Sequence, residues 1–441
     1  MTDAQPPTRP LAGRRWWLWL ALVCGVGLAV RVAHALLVDD AAFLQGDAYQ
    51  YHEGAKLLAD GEGFVSADPY GPGGEQTAQH PPLYTVALAV PSLLGLRSTV
   101  AHQLWSCGLG TASVAVVGLA GRRLAGPAVG LIAAGLLAIY PNAWIFDGLL
   151  AAETLSLLTA GLTVLAAYRL LERRSVPTAA ELGGACALAA LTRAEALLLV
   201  PLLAVGFVLV LRQAGLRRRL GLALVSTATA AALIGPWVAF NLGRFERPVL
   251  GTSTGFELAL VQGNCHQVYF GEAIGYYSVG CIPTLPSPAG DETEQGRQYR
   301  RVAFAYMEAN WPRIPFVLFA RQGRAWGFYR PLEQLRIEDY VQARDRPIGA
   351  VGLAMYYGLV AAAVPGALAL RREGRGQYAW PLAALVATVV AAVALAWGES
   401  RYRVSAEPAL VLLAAVGVHD VWRRRPWRAD STPPTERAVP A

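Results

Sequence analysis

Between Trp16 and Trp422 the chain alternates apolar runs with clusters of arginine. Several runs approach the roughly 20 residues that a helix needs to cross a hydrocarbon core of about 30 Å. Lipid offers no water to backbone N–H and C=O groups, so each run must bond its own, which a helix does. Composition agrees: 54% of the 441 residues are hydrophobic, only 16% are charged, and the mean hydropathy is +0.36. A soluble domain carries about a quarter of its residues as charges. The expected fold class is an all-α integral membrane protein.

The arginines set the expected topology. Arg14 and Arg15 precede the first run. Further clusters are Arg122–Arg123, Arg169 with Arg173 and Arg174, Arg212 with Arg217–Arg219, Arg371–Arg372 with Arg375, and Arg423–Arg428. The positive-inside bias puts all of them in the cytoplasm. The segment HPPLYTVALAVPSLLGLR (80–97) decides whether that is consistent. Its core spans roughly 24 Å at about 1.5 Å per residue, short of the hydrocarbon thickness, and it holds Pro81, Pro82 and Pro91. If it crossed, Arg122, Arg123, Arg173 and Arg174 would fall outside, so it is expected to lie on the outer surface.

The expected spans are then 16–38, 99–121, 127–146, 149–171, 178–192, 194–212, 219–241, 348–370, 378–398 and 404–422, about ten with both ends cytoplasmic. The first run shows no small-residue cleavage site and reads as a retained helix. The chain divides into a tail (1–15), a membrane module (16–241) with a first outer loop (39–98), a second extracytoplasmic loop region (242–347), C-terminal membrane helices (348–422) and a tail (423–441). Both tails are Pro-rich and polar and are expected to be disordered.

The net charge of +7 does not imply a nucleic-acid partner, because the arginines sit where topology demands them. Nearly every basic residue is Arg, Lys56 being the sole lysine, which suggests a GC-rich bacterial genome. No nucleotide-loop or metalloprotease motif and no Asp-x-Asp pair occurs. Cys24, Cys107 and Cys186 lie in apolar runs and read as packing residues. Cys265 and Cys281, sixteen apart in a polar loop of an oxidising compartment, suit a disulfide. The aromatics around them could stack on a sugar or pack in a small core. Residues 291–330 read as two helices capping a cavity, with solvated or headgroup-facing arginines.

Directly after the first run comes GDAYQYHEGAKLLADGEGF (46–64). Tyr51, Ala55 and Leu58 share one helical face; His52, Lys56 and Asp60 share another, so an amphipathic surface helix is expected, ended by Gly61 and Gly63. Asp47 at its start could cap that helix or carry chemistry. Asp39 and Asp40 compete with it for the acidic role, and His52 reads as a solvated-face residue. Glu153 sits one turn into an apolar helix, where carboxylates are rare, and could pair with Arg193 or answer the helix dipole. Arg193, Arg401 and Arg403 break the inward trend of arginine. Each could reach for lipid headgroups or for an anion.

The stretch 46–64 followed by HPPLYTVALAVPSLLG resembles the first outer loop of the GT-C membrane glycosyltransferases. The similarity is greatest to the protein O-mannosyltransferase and lipid A aminoarabinose transferase group, glycosyltransferase family 39 and its bacterial relatives. LLAAETLSLL (149–158), ALTRAEALLLVPLL (190–203) and ESRYRVSAEPALVLLAAVG (399–417) continue the resemblance in order. His80 stands where family members often carry Arg or Lys.

What the resemblance implies is transfer of a sugar from a polyprenyl-phosphate carrier to a hydroxyl acceptor, whether protein, cell-wall glycan or lipid, on the extracytoplasmic face of a cell membrane. Asp47 would be the base and Glu153 a second catalytic carboxylate. Arg193, Arg401, Arg403, His80, Tyr84, Tyr402 and Glu399 would bind donor phosphate or substrate. A divalent cation shared by Asp47 and Glu153 is conceivable, but no ligand cluster demands one. The rival readings are a transporter or flippase of lipid-linked saccharides, which would need a mid-membrane polar site, and a non-catalytic envelope-assembly protein.

Overall fold

The computed structural model describes residues 13–39, 44, 46–67, 74–210, 214–282 and 290–424. The two tails lie almost entirely outside them. The N-terminal part holds α1 (Gly13–Leu37), α2 (Gly46–Ala59), α3 (Leu83–Leu93), α4 (Thr99–Ala125) and α5 (Pro127–Ile139). It continues with α6 (Pro141–Gly148), α7 (Glu153–Arg173), α8 (Val176–Thr192), α9 (Leu199–Val210) and α10 (Leu216–Asn241). A region of short helices follows: α11 (Phe256–Gln262), α12 (His266–Tyr269), α13 (Glu292–Ala309), α14 (Ile314–Ala325) and α15 (Pro331–Gln342). The chain closes with α16 (Arg346–Arg372), α17 (Ala379–Leu395) and α18 (Glu407–Arg423). β-structure among the described residues is one antiparallel bridge, Val65 to Gln76.

This is a multi-pass helical membrane protein. Among the described residues seven helical segments are long and apolar enough to cross a bilayer, or eight if α5 and α6, bent by 48°, form one span. The segments expected as fifth and sixth spans, α8 and α9, are shorter, at 17 and 12 residues. The segment expected at the surface is the 11-residue α3, which starts after Pro81-Pro82 and contains Pro91.

The arginine clusters collect at one end of the bundle. Arg122 lies over the Trp16 ring at 4.3 Å, and Arg123 pairs with Glu172. Arg375 donates to the Arg123 carbonyl at 3.2 Å, Arg218 to the Arg174 carbonyl at 2.9 Å, and Arg372 pairs with Asp420 at 3.1 Å. The opposite face gathers the end of α1, the start of α7, the α8–α9 corner and the segment before α18.

Local chemistry places the breaks. Gly126 adopts φ +95°, a region open to glycine, and Pro127 then starts α5. Pro141 has no N–H to continue α5, so the axis turns and α6 swings Asp147 toward α1. After α8, Arg193 is extended (φ −143°, ψ 128°) before a 3-10 turn, Ala194–Leu198, leads into α9.

Helix α2 packs on protein: Tyr51 and Ala55 join Tyr84, Leu88, Ala152 and Leu155 in one buried cluster. His52, expected on a solvated face, is buried instead at 4% exposure. Its Nδ1 lies 3.0 Å from Nδ1 of His102, whose Nε2 meets Ser92 Oγ at 2.9 Å. A neighbouring imidazole on α4 gives it a polar partner that sequence spacing could not reveal.

Helices α16 and α18 cross at Gly366 and Gly417, where a Cβ at either position would collide with a carbonyl oxygen, of Leu413 or Ala362 respectively. Small residues let backbones approach where lipid supplies no hydrophobic drive. Gly366→Val is expected to cost about 1–3 kcal/mol by overpacking, read as a lower unfolding temperature of the solubilised protein. A surface change such as Leu368→Val should leave that temperature unmoved.

Candidate functional site

Four chain segments bring charge to one point on the face opposite the arginine clusters. Asp47 lies in the first turn of α2, Glu153 opens α7, Arg193 is the extended residue after α8, and Arg401 belongs to a 3-10 turn, Ser400–Ala406. Glu153 is fully buried. It receives Nε of Arg401 at 2.6 Å and also Nη1 of Arg193. Arg401 Nη2 reaches on to Asp47 Oδ2 at 2.9 Å, leaving Nη1 with no bond to any described residue. Arg193 also bonds Glu195 and lies 5.1 Å over the ring of Tyr402.

The two carboxylates differ in kind. Glu153 is enclosed and doubly paired, so it positions guanidiniums. Asp47 keeps 40% of its side-chain surface open. Enclosure by protein is the largest influence on it and would raise its pKa, but Arg401, then His80 and Arg193, outweigh that and bring it down to about 2. Asp47 is thus an ionised, accessible carboxylate. His80 Nε2 sits 3.8 Å from Asp47 Oδ1 and 2.9 Å from Gln50 Oε1, and its ring packs on Tyr51. Burial lowers the pKa of His80, and the charge of Asp47 opposes that shift.

The remaining expected residues are placed as follows. A 3-10 turn has about three residues per turn, so Arg401, Tyr402 and Arg403 point three ways. Arg401 faces the carboxylates and Tyr402 faces Arg193. Arg403, expected at the phosphate, turns inward to Glu407 at 2.8 Å and over Tyr356 at 3.8 Å. Tyr84 is also inside, its hydroxyl 2.9 Å from Ser106 Oγ beneath Tyr51. Glu399 is buried and accepts from Trp397 Nε1 at 2.8 Å and the Tyr276 hydroxyl at 3.2 Å. Asp39 pairs with His34 at 3.0 Å at the end of α1, and Asp40 lies outside the described residues.

Asp147 and Arg31 pair at 2.9 Å, and Thr154 donates to Asp147 at 2.7 Å, clamping the turn that presents Glu153. Ser156 and Ser405 hydroxyls, 2.9 Å apart, tie the Arg401 turn to α7. Cys265 and Cys281 form a disulfide with Cα atoms 5.9 Å apart.

Arg321 and Arg324, expected to be solvated, are buried instead, at 3% and 0% exposure. Their forked donors hold carbonyls. Arg321 Nη1 takes Ala394 at 2.7 Å, and Arg324 Nε takes Ile274 at 2.6 Å, with Gln334 Oε1 at 3.0 Å from Nη1. A guanidinium whose fork holds several carbonyls offsets much of the cost of its burial. These struts hold the second loop region down on Glu399, already a candidate, and on Trp397, which the AWGES stretch (396–400) offered without any spacing signal.

Among the described residues no group of three or more His, Cys, Asp or Glu side chains is arranged for a metal ion. Between Asp47 and Glu153, where a shared cation would sit, the guanidinium of Arg401 bridges both. These residues do not fit a metal.

Known structures share this arrangement of helices. A structure of the oligosaccharyltransferase AglB from Archaeoglobus fulgidus, in complex with an inhibitory peptide and a dolichol-phosphate, aligns over 96% of this chain with TM-score 0.57 and 15% identity. A second, of the A. fulgidus oligosaccharyltransferase tethered to an acceptor peptide containing the NVT sequon, aligns over 95% with TM-score 0.56 and 15% identity. The chain shares the fold of the aligned part of these oligosaccharyltransferase structures. The chain spans about half the length of those enzymes, 53% and 51%. ArnT from Cupriavidus metallidurans bound to undecaprenyl phosphate aligns over 96% of this chain and 82% of its own at 17% identity, but its TM-score of 0.46 is too low to establish a common fold by itself. No protein-family model and no curated protein sequence matches the chain.

Removing Glu153 would leave two enclosed guanidiniums facing each other. Glu153→Ala is expected to lose about 3–5 kcal/mol of stability, against a much smaller loss for Glu195→Ala, measured by thermal unfolding in one detergent. The pH response is set partly by Glu399. Burial, opposed by Arg401 and the Trp397 hydrogen bond, pushes it up to about 7 from 4.5. A carboxyl raised on folding contributes stability fully below its unfolded value and loses it as pH rises through the folded one. Stability should therefore fall between about 4.5 and 7 in wild type, and Glu399→Gln should flatten that slope.

Proposed function

We propose that this chain is a membrane glycosyltransferase that moves a sugar from a polyprenyl-phosphate carrier to a hydroxyl acceptor on the extracytoplasmic face. One observation carries the reading: an accessible, ionised Asp47 lies against Arg401, which Glu153 aligns with Arg193, at the membrane surface. The shared fold supports it, as does the dolichol-phosphate in complex with AglB. The extracytoplasmic assignment follows from the positive-inside bias, since the site lies opposite the arginine clusters.

In this reading the acceptor oxygen attacks the anomeric carbon while its proton passes to Asp47. The bond from that carbon to the phosphate oxygen breaks, and its electron pair leaves with the polyprenyl phosphate. Arg401 and Arg193 receive the growing phosphate charge through charge-assisted hydrogen bonds. A carboxylate with a pKa of about 2 is a weak base, so it takes the proton late, once an oxocarbenium-like state has drawn the acceptor oxygen in. Glu153 orients the guanidiniums, and Tyr402 supports Arg193 from below. His80 and Gln50 steer Asp47. Arg403, Tyr84 and Glu399 hold the surrounding shell. The helices of residues 291–330 cap the site.

Asp47→Asn keeps the shape and removes the base. With purified protein and radiolabelled decaprenyl-phosphate sugars, transfer should fall by about 10²–10⁴ while decaprenyl phosphate still binds. Equal rates in both proteins would refute the role of Asp47. Because Arg401 holds Asp47 ionised, wild-type transfer should show no acid limb from Asp47 down to the ordinary carboxylate range.

A further inference from the structure

The second loop region borders an open cleft of about 820 Å³ that the transfer chemistry leaves unused. It falls within the range of small-molecule sites, about 300–1,000 Å³. One wall is the turn carrying Tyr276, Tyr277 and Val279; the other is α15 and its start, with Arg330, Glu333, Arg336 and Ile337.

The cleft is preformed. Its turn is closed by the Cys265–Cys281 disulfide and held by Arg324 on the carbonyls of Ile274 and Glu272, at 2.6 and 3.2 Å. Gly398 N–H donates to the Gly275 carbonyl at 2.7 Å, and Tyr276 reaches Glu399. The same bonds fasten the turn to the segment that leads into Arg401.

An aromatic row connects the cleft to the charged cluster. The Tyr277 ring lies 4.8 Å from that of Trp397, Trp397 lies 5.8 Å from Tyr402, and Tyr402 lies under Arg193.

Resting on the function proposed above, we propose that this cleft is the acceptor subsite and takes a neutral saccharide, whose terminal hydroxyl it presents toward Asp47. An aromatic face is electron-rich and suits the C–H face of a sugar ring. The rim carries both signs, Arg330 and Arg336 against Glu272 and Glu333, which donates to and accepts from hydroxyls without selecting net charge. An extended peptide would look for an open strand edge; the described lining is helix and turn only. Arg336 is exposed and has no recorded partner among the described residues, so a guanidinium is available to a ligand.

The test uses full-length protein in nanodiscs and two variants: Ile337→Trp, which fills the cleft, and Arg336→Ala, which removes an exposed side chain that supports no packing. Saturation-transfer NMR reads binding of mannotriose, galactotriose, arabinotriose and a Ser/Thr-rich decapeptide. Phosphorus NMR reads binding of decaprenyl phosphate. At least one trisaccharide should bind wild type, with its Kd raised about tenfold or more in both variants, while decaprenyl phosphate binds all three proteins alike. The proposal is overturned if wild type binds none of the trisaccharides, if both variants bind them undiminished, or if only the peptide competes for the cleft. If trisaccharides bind as expected but decaprenyl phosphate binds no protein, the carrier reading fails and the cleft stands. If lipid phosphate binds and transfer depends on Asp47 without trisaccharide binding, only the cleft assignment fails.

Discussion

The site hangs on one buried carboxylate. Glu153 opens α7 where helix amides are unpaired, and it meets guanidiniums from two other parts of the chain, 40 and 248 residues away. An isolated charge at that depth would be prohibitive, so the three groups must meet together or not at all. That condition locks α7, the α8–α9 corner and the turn before α18 into one relative position. Asp47 completes the row from α2. It is the most open member, and its charge is stabilised by an arginine that Glu153 already holds in place.

Support for this cluster comes from polar contacts that surround it. Arg31, Asp147 and Thr154 clamp the short α6 against the start of α7. On the other side Arg321 joins the carbonyl of Gly263 in the second loop region to that of Ala394 at the end of α17, and Arg324 holds the carbonyl of Ile274. Each guanidinium replaces several solvating waters at once, which lets irregular chain pack tightly over Trp397 and Glu399. The described part of the loop region is thereby fastened to the segment that leads into Arg401, with Tyr277 against Trp397 at the contact.

The fold agrees with this division of labour. Among the described residues seven helical segments, or eight with the bent α5–α6 pair, are long and apolar enough to cross a bilayer, and the arginine-rich ends cluster at one face. The other face holds short helices, extended corners and a 3-10 turn, the elements that can aim single side chains in different directions. Arg401, Tyr402 and Arg403 show the effect: three consecutive residues serve a charged cluster, a ring contact and an interior ion pair. In a regular α-helix those neighbours would fan out at about 100° intervals along a straight axis, and the turn could not close on both Glu153 and Glu407.

Much of this was legible in the chain itself. Apolar run length and arginine spacing set the membrane class and separated the two faces, because burial in lipid and charge bias act on composition without reference to contacts. Pro81, Pro82 and Pro91 marked α3 as short, and the oddity of Glu153, Arg193 and Arg401 marked them as candidates. What only the tertiary structure decided is which charges meet. Arg403 looked equivalent to Arg401 but turns inward, His52 looked solvated but is buried against His102, and Arg321 and Arg324 looked like headgroup arginines but act as struts. Partners in these cases lie far apart along the chain, and side-chain direction at a break depends on backbone angles that no local pattern encodes. Periodicity tells which residues leave water; only packing tells what they find there.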